Sequence, residues 1–429
     1  MSRVRPRLPR APRLLKPFLR PAAYRVLPTD LRVRRVGRLA ARLADGVRDP
    51  AFEVLLRRID DAPFFPGNAV ALYFDGAEAF AAMREAVAAA REEVLLEAYI
   101  LRDDATGRDL FGALASAARR GVAVRVLADA WGSFGTRSGF WREMAAAGIE
   151  VRLFHPIFSA LWYQPYRDHR KILVADRRVA FTGGMNVADE YGAAGGAAEP
   201  PWRDTHARLE GPAAWEMAVV FSEGWDRAGG RPFVIPPLPW DERAPRAGAS
   251  VLVLDSSPGR GHAESASTLA AILAAARRNV WLTNAYFAPA RAALDILGEA
   301  AERGVDVRLL LPGRTDVPVV RHAGHDLFAE LLRRGVRIFE YGASVLHAKT
   351  VVADGYVSVV GSSNMDFRSF HFNAECNLVL LDETAAGDLE AQFRRDLDRA
   401  VEIVEPAWSR RPWLHHLGDR AAGALSPLL

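Results

Sequence analysis

One short stretch occurs twice in this chain of 429 residues, and it restricts the fold more than anything else in the sequence. His169-Arg170-Lys171-Ile172-Leu173-Val174-Ala175-Asp176 is followed by Gly183-Gly184-Met185-Asn186. His347-Ala348-Lys349-Thr350-Val351-Val352-Ala353-Asp354 is followed by Gly361-Ser362-Ser363-Asn364. His, Lys, Asp and Asn recur at one separation, 178 residues. A chain with two such copies has to fold as two equivalent units.

Lysine usage makes coincidence untenable. Of 56 basic residues only Lys16, Lys171 and Lys349 are lysine; all the others are arginine. An ammonium is compact and mobile where a guanidinium is a planar fork, so a lysine kept at two matched places suits contact with a single anionic oxygen.

The flanking sequence repeats as well. Glu93 to Ile100 is a short apolar run, as a buried strand requires, and Val280 to Phe287 answers it. Ala118-Arg119-Arg120-Gly121-Val122-Ala123-Val124 is matched by Ala301-Glu302-Arg303-Gly304-Val305-Asp306-Val307, a helix end, a glycine stop and a strand start. Strands alternating with helices predict an α/β fold of two tandem α/β/α halves, each a mixed, mostly parallel sheet covered by helices. We expect a basic arm and amphipathic helix over 1–67, a first half over 68–235, a Pro-rich linker over 236–250, a second half over 251–405 and a tail over 406–429.

Charge is uneven. Residues 1–50 carry 14 Arg or Lys against three Asp, whereas the remainder has 42 basic and 49 acidic residues. A basic arm attracts anionic headgroups or nucleic acid, but an acidic body disfavours nucleic acid along the main surface. The pattern Leu31, Val36, Leu39, Leu43 fits a helix capped by Thr29 or Asp30, compatible either with an anionic membrane or with packing on the body. No transmembrane helix and no signal-peptide core is expected, which points to the cytoplasmic side. The single cysteine, Cys376, excludes an intrachain disulfide and reads as a small buried residue.

Two histidines in matched settings, brought to one cleft, can divide phosphoryl-transfer chemistry. One neutral imidazole attacks phosphorus and the other protonates the leaving oxygen. Lys171 and Lys349 would neutralise the non-bridging oxygens, with Asn186 and Asn364 donating to them. Gly184, Ser362 and Ser363, from the same tails, complete the candidate substrate-binding set. No metal or other cofactor is expected, because a lysine in each motif supplies positive charge and would repel a cation.

The duplicated His-x-Lys-x4-Asp, with its Gly-Gly-x-Asn and Gly-Ser-Ser-Asn tails, resembles the phospholipase D superfamily, and within it the short bacterial cardiolipin synthases. Leu96 to Ile100, Arg208-Leu209-Glu210-Gly211-Pro212 and Asn284-Ala285-Tyr286-Phe287 carry the same likeness. The resemblance implies an active site between the halves, His169 as nucleophile and His347 as acid and base. It also implies a carboxylate from the opposite half behind each histidine: Glu375 for His169 and Asp204 for His347. Asp176 and Asp354 match the motif, as members of the catalytic set that brace loops.

The implied reaction transfers a phosphatidyl group between two phosphatidylglycerols, giving cardiolipin and glycerol at the cytoplasmic face of the inner membrane. The implied partners are phospholipids and an anionic membrane surface; the oligomeric state is open. A hydrolytic phospholipase D or a nuclease of the same superfamily would use the same residues. For membrane contact the aromatic stretch Phe154 to Tyr163 and the tail around Trp408, Trp413, Leu414, Arg410, Arg411 and Arg420 are candidates, with core packing as the alternative for each.

Overall fold

The computed structural model describes residues 29–155, 166–192, 200–238, 247–256 and 263–426. Among them one sheet runs through the molecule, and it is built twice. From the centre outward the first half orders β1 (Phe64–Tyr73), β8 (His206–Glu210), β7 (Val179–Gly183), β6 (Lys171–Ala175), β2 (Glu93–Ala98), β3 (Ala123–Asp129) and β4 (Glu150–Phe154). The second half answers with β9 (Ala249–Ser256), β15 (Asn373–Leu381), β14 (Val357–Gly361), β13 (Thr350–Ala353), β10 (Asn279–Thr283), β11 (Asp306–Pro312) and β12 (Arg337–Tyr341). β16 (Ala400–Ile403) extends that edge.

β1 and β9 pair antiparallel at the centre, so the two halves share one sheet. The mixed α/β class is as read from the sequence, but the expected predominance of parallel pairing needs correction. Parallel ladders join β2 to β3 to β4 and β10 to β11 to β12, where helices make the crossovers. The motif strands are joined by tight turns instead, so β6–β7 and β13–β14 are antiparallel, as are their neighbours.

Those turns explain the motif aspartates. Asp176 and Arg177 have φ of 53° and 57°, and Asp354 and Gly355 have 51° and 61°, a left-handed pair inside each tight turn, which closes where the Arg178 N–H donates to the Ala175 carbonyl and the Tyr356 N–H to that of Ala353. Each aspartate also accepts three backbone N–H groups. Asp176 takes those of Arg91, Glu92 and Glu93, and Asp354 those of Arg277, Arg278 and Asn279, at 2.8–3.0 Å. They therefore brace the start of β2 and β10, at the far end of each motif strand from the histidine.

The amphipathic helix α1 (Thr29–Ala40) packs on the body through Val33, Val36 and Ala40, while Leu31 and Leu39 face outward. Helix α2 (Pro50–Asp60) follows, and α3 (Gly76–Ala89), α4 (Ala105–Arg119), α5 (Ser138–Ala146) and α6 (Pro212–Arg227) belong to the first half. In the second, α7 (Glu264–Ala275) receives α1, and Arg32 reaches Glu264 at 3.3 Å. Helices α8 (Arg291–Glu302), α9 (Pro318–Arg333), α10 (Phe367–His371) and α11 (Glu383–Leu397) precede a short α12 (Glu405–Ser409) and α13 (Trp413–Ala424). Gly121 and Gly304, the matched stops after α4 and α8, sit at φ of 90° and 91°. The arm before residue 29 and most of the aromatic stretch, residues 156–163, lie outside the described residues; Phe154 itself is buried.

Candidate active site

Both motif histidines are held by backbone of the opposite half. The two-residue strand β5 (Arg167–Asp168) runs parallel to Asn373 and Ala374 of β15, and the His169 N–H donates to the Ala374 carbonyl at 2.9 Å. Symmetrically, Arg203 bridges Leu346, and the His347 N–H donates to the Arg203 carbonyl at 2.8 Å. Arg170, between His169 and Lys171, is a buried clasp on both halves: it reaches Glu97 of β2 at 3.3 Å and pairs with Asp255 of β9. The four residues of the two His-Lys pairs, 169, 171, 347 and 349, are all buried at this seam.

Each histidine faces a carboxylate of the opposite half. His169 Nδ1 is 3.1 Å from Glu375 Oε2, and His347 Nδ1 is 2.8 Å from Asp204 Oδ2. Glu375 is itself held by the Ser362 hydroxyl and by Asn373 Nδ2 at 3.3 Å, and Asp204 accepts the Thr205 N–H at 2.7 Å. With Nδ1 occupied, each ring leaves Nε2 as its unused nitrogen. A Cβ on Gly184 would stand 2.1 Å from Asp204 Oδ1, so the bare backbone there is what admits that carboxylate.

The lysines sit on their own histidines. Lys171 Nζ donates to the His169 carbonyl at 2.6 Å, and Lys349 Nζ donates to the His347 carbonyl. Lys349 Nζ also lies 2.9 Å from His347 Nδ1. A single nitrogen cannot donate to Asp204 and accept from Lys349 at once, so the two partners correspond to two tautomers.

Burial dominates the electrostatics. It pulls Lys171 down to about 7 and Lys349 to about 8, against the pull of Glu375 and Asp204 in the opposite direction. Burial and then Lys171 hold His169 below its usual range; burial and then Lys349 take His347 to about 4. Burial is the largest influence on Glu375 and Asp204 and would raise both, but the facing histidine, a lysine and further hydrogen bonds together outweigh it in each case, and both are lowered. The seam is thus a buried cleft lined by two lysines with two anions behind it.

The asparagines divide. Asn186 has its Nδ2 on the Tyr191 hydroxyl at 2.9 Å and its Oδ1 on the Ile100 N–H at 3.2 Å, so it orients Tyr191, whose hydroxyl lies 3.4 Å from His347 Nδ1. Asn364 has a buried Oδ1 with no hydrogen-bond partner. Ser363 accepts from Asn377 at 2.7 Å, and Ser362 serves Glu375. Cys376 is fully buried, and burial lifts its thiol to about 12.

Sequence reasoning did not assign the aromatic walls. Tyr99 stands edge-on to His169 at 4.9 Å and Tyr286 to His347 at 5.9 Å, under the two ammonium groups. The signal was present: Glu97-Ala98-Tyr99 and Asn284-Ala285-Tyr286 end the matched strands. Tyr191 and Trp202 beside His347 have no such duplicate to betray them.

Paired His-Lys motifs facing each other across a duplicated α/β sheet define a phospholipase D-like enzyme. A family model described as the phospholipase D-like domain of cardiolipin synthase matches residues 83–191 and 269–397. Cardiolipin synthase A of Pseudomonas fluorescens strain SBW25 is 37% identical over 372 residues, covering 86% of this chain and 76% of that protein. Cardiolipin synthase 1 of Bacillus cereus is 31% identical over 388 residues, covering 87% and 75%. The chain belongs to the phospholipase D-like cardiolipin synthase family. The fold is also that of phosphatidylserine synthase from Haemophilus influenzae Rd KW20, with a TM-score of 0.69 at 12% identity over 88% of this chain and 100% of that one.

Proposed function

We propose that this chain is a phosphatidyltransferase that joins two phosphatidylglycerol molecules into cardiolipin and releases glycerol. The observation that carries it is the pair of buried imidazoles, each with Nδ1 on a carboxylate of the opposite half and a lysine beside it.

In the first step Nε2 of neutral His169 forms a bond to phosphorus. The phosphorus–oxygen bond to glycerol breaks, and the glycerol oxygen takes the Nε2 proton of His347. Lys171 and Lys349 receive the charge on the non-bridging oxygens. As the phosphodiester draws Lys349 Nζ away from His347 Nδ1, that nitrogen is left to Asp204 and the more distant Tyr191 hydroxyl, both of which can accept its proton, and this favours the imidazolium the step requires.

In the second step the primary hydroxyl of another phosphatidylglycerol loses its proton to His347. Its oxygen attacks phosphorus and displaces His169. Phosphodiester bonds are conserved, and neither nucleotide nor metal enters the balance. Asn364 Oδ1 is buried without a partner and can only accept, so in this reading it would take a hydroxyl of the substrate glycerol and not a phosphoryl oxygen.

Two features support a lipid substrate. A small pocket opens beside Lys349 and Asn364, and the apolar side chains of Leu254, Leu269, Leu282 and Phe370 among its walls suit hydrocarbon. The loop after β3 exposes Trp131 and Phe134, at 55% and 73%, and is tied to the site through Ser133, whose hydroxyl donates to the Tyr99 carbonyl. With Arg167 under Trp131, that loop suits the interface of an anionic bilayer. No helix among the described residues is long and apolar enough to cross a membrane. We place the protein peripherally, on the cytoplasmic side of the inner membrane.

The deciding experiment is mass spectrometry of products from the purified protein with phosphatidylglycerol vesicles, with His169→Ala as control. Cardiolipin and free glycerol are expected. Phosphatidic acid alone would make the enzyme a hydrolase and overturn the reading.

A further inference from the structure

A second cluster of imidazole and carboxylate lies on the outer helices of the second half. His322 and His325 are three residues apart on α9, so both side chains leave one face. Asp419 comes from α13, which lies against that face. His322 Nδ1 is 2.8 Å from Asp419 Oδ1, and His325 Nδ1 is 3.7 Å from the same oxygen. One ligand atom from each residue lies within 4.8 Å of the others.

The protonation of His325 makes the cluster more than a hydrogen-bonded group. Its Nε2 is 2.8 Å from Glu340 Oε1, and a ring nitrogen against a carboxylate donates. With Nε2 donating, the form of the ring that can bind a metal carries its lone pair on Nδ1. That atom is buried, has no hydrogen-bond partner, and points at a carboxylate oxygen. In that form two acceptors face each other where the side chains are 5% and 2% exposed, an arrangement resolved either by a proton or by a metal ion between them. Glu340 behind His325 is the outer carboxylate that orients metal-bound imidazoles.

We propose that His322, His325 and Asp419 bind a first-row divalent cation, zinc foremost, that clips α13 onto α9. Two imidazoles and one carboxylate are a borderline-soft set suited to zinc, with water as a fourth ligand. His322, 51% exposed, gives the ion a path from solvent and is free to turn toward it. Arg411 holds Asp419 Oδ2 at 2.8 Å and Arg321 holds Glu340 at 3.0 Å, so Oδ1 stays clear of guanidinium and the two carboxylates offset those charges. The ion fixes the end of the chain and takes no part in phosphatidyl transfer.

The test is calorimetric titration of the full-length protein with zinc chloride after dialysis against chelator, paired with hydrogen–deuterium exchange over residues 413–424. One equivalent should bind, and exchange in α13 should slow. Glu340→Gln should weaken binding about 10- to 100-fold, and His322→Ala, at an exposed position that spares the fold, should weaken it with transfer activity retained. Absence of saturable binding would overturn the proposal, as would binding unchanged in His322→Ala. So would magnetic resonance showing His325 doubly protonated between Glu340 and Asp419 in the presence of zinc.

Discussion

Glu375 Oε2 stands 3.1 Å from His169 Nδ1 although 206 residues separate them in the chain. The contact crosses from β15 of one half to the motif of the other. Glu375→Gln keeps the shape and removes the charge that stabilises a His169 cation. We expect kcat to fall by a factor on the order of 10²–10⁴ with KM little changed, measured as cardiolipin formed per folded molecule. Wild-type kcat would mean that the carboxylate is structural.

In the proposed mechanism His169→Ala removes the nucleophile and Lys349→Ala one of the two oxyanion cations. Both should leave the circular-dichroism spectrum intact. Product should be undetectable for the first and reduced by about 10²–10³ for the second.

The lysines set a pH limit. Lys171 and Lys349, held down to about 7 and about 8, carry their charge below those values and lose it as pH rises through them. Anion binding is therefore present on the acid side and lost on the alkaline side. A profile of kcat/KM from pH 6 to 9.5 should descend between about 7 and 8, far below the ordinary range of a lysine. A flat profile to pH 9 would refute the role.

Asp176→Ala should cost stability and spare chemistry. It leaves three backbone N–H groups at the start of β2 without their acceptor, a loss of about 1.5–3 kcal/mol or more by the usual value of a charge-assisted bond. Urea midpoints should fall while kcat of the folded fraction holds.

Gly184→Ala tests the opposite case, chemistry lost with little unfolding. The new methyl would meet Asp204 Oδ1 at 2.1 Å and push the carboxylate off His347. Activity should fall about as far as in Asp204→Ala, with a thermal midpoint nearer to wild type.

Much of this was legible in the residues. Two lysines at matched positions announced the duplication, and the short apolar run of Glu93 to Ala98 gave the strand that carries Tyr99. Direction was harder to read. Parallel or antiparallel pairing of β6 with β7 depends on a tight turn through Asp176 and Arg177, whose left-handed φ leaves little mark in the sequence. The membrane-facing or body-facing choice for α1 turned on Val33 and Ala40, which pack on α7, and not on the larger Leu31 and Leu39. Arg170, the unspecified residue within the motif, became visible as a clasp only once Glu97 and Asp255 met it from two directions.

The crossed arrangement of histidine and carboxylate has a consequence for how such a protein can change over time. A single half would own a histidine lacking its anion and an anion lacking its histidine, so it would need a twin to do any chemistry. Fusing the two copies in one gene supplies that twin at a guaranteed ratio. It also lifts the requirement that both be identical, and one copy here keeps a glutamate while the other keeps an aspartate.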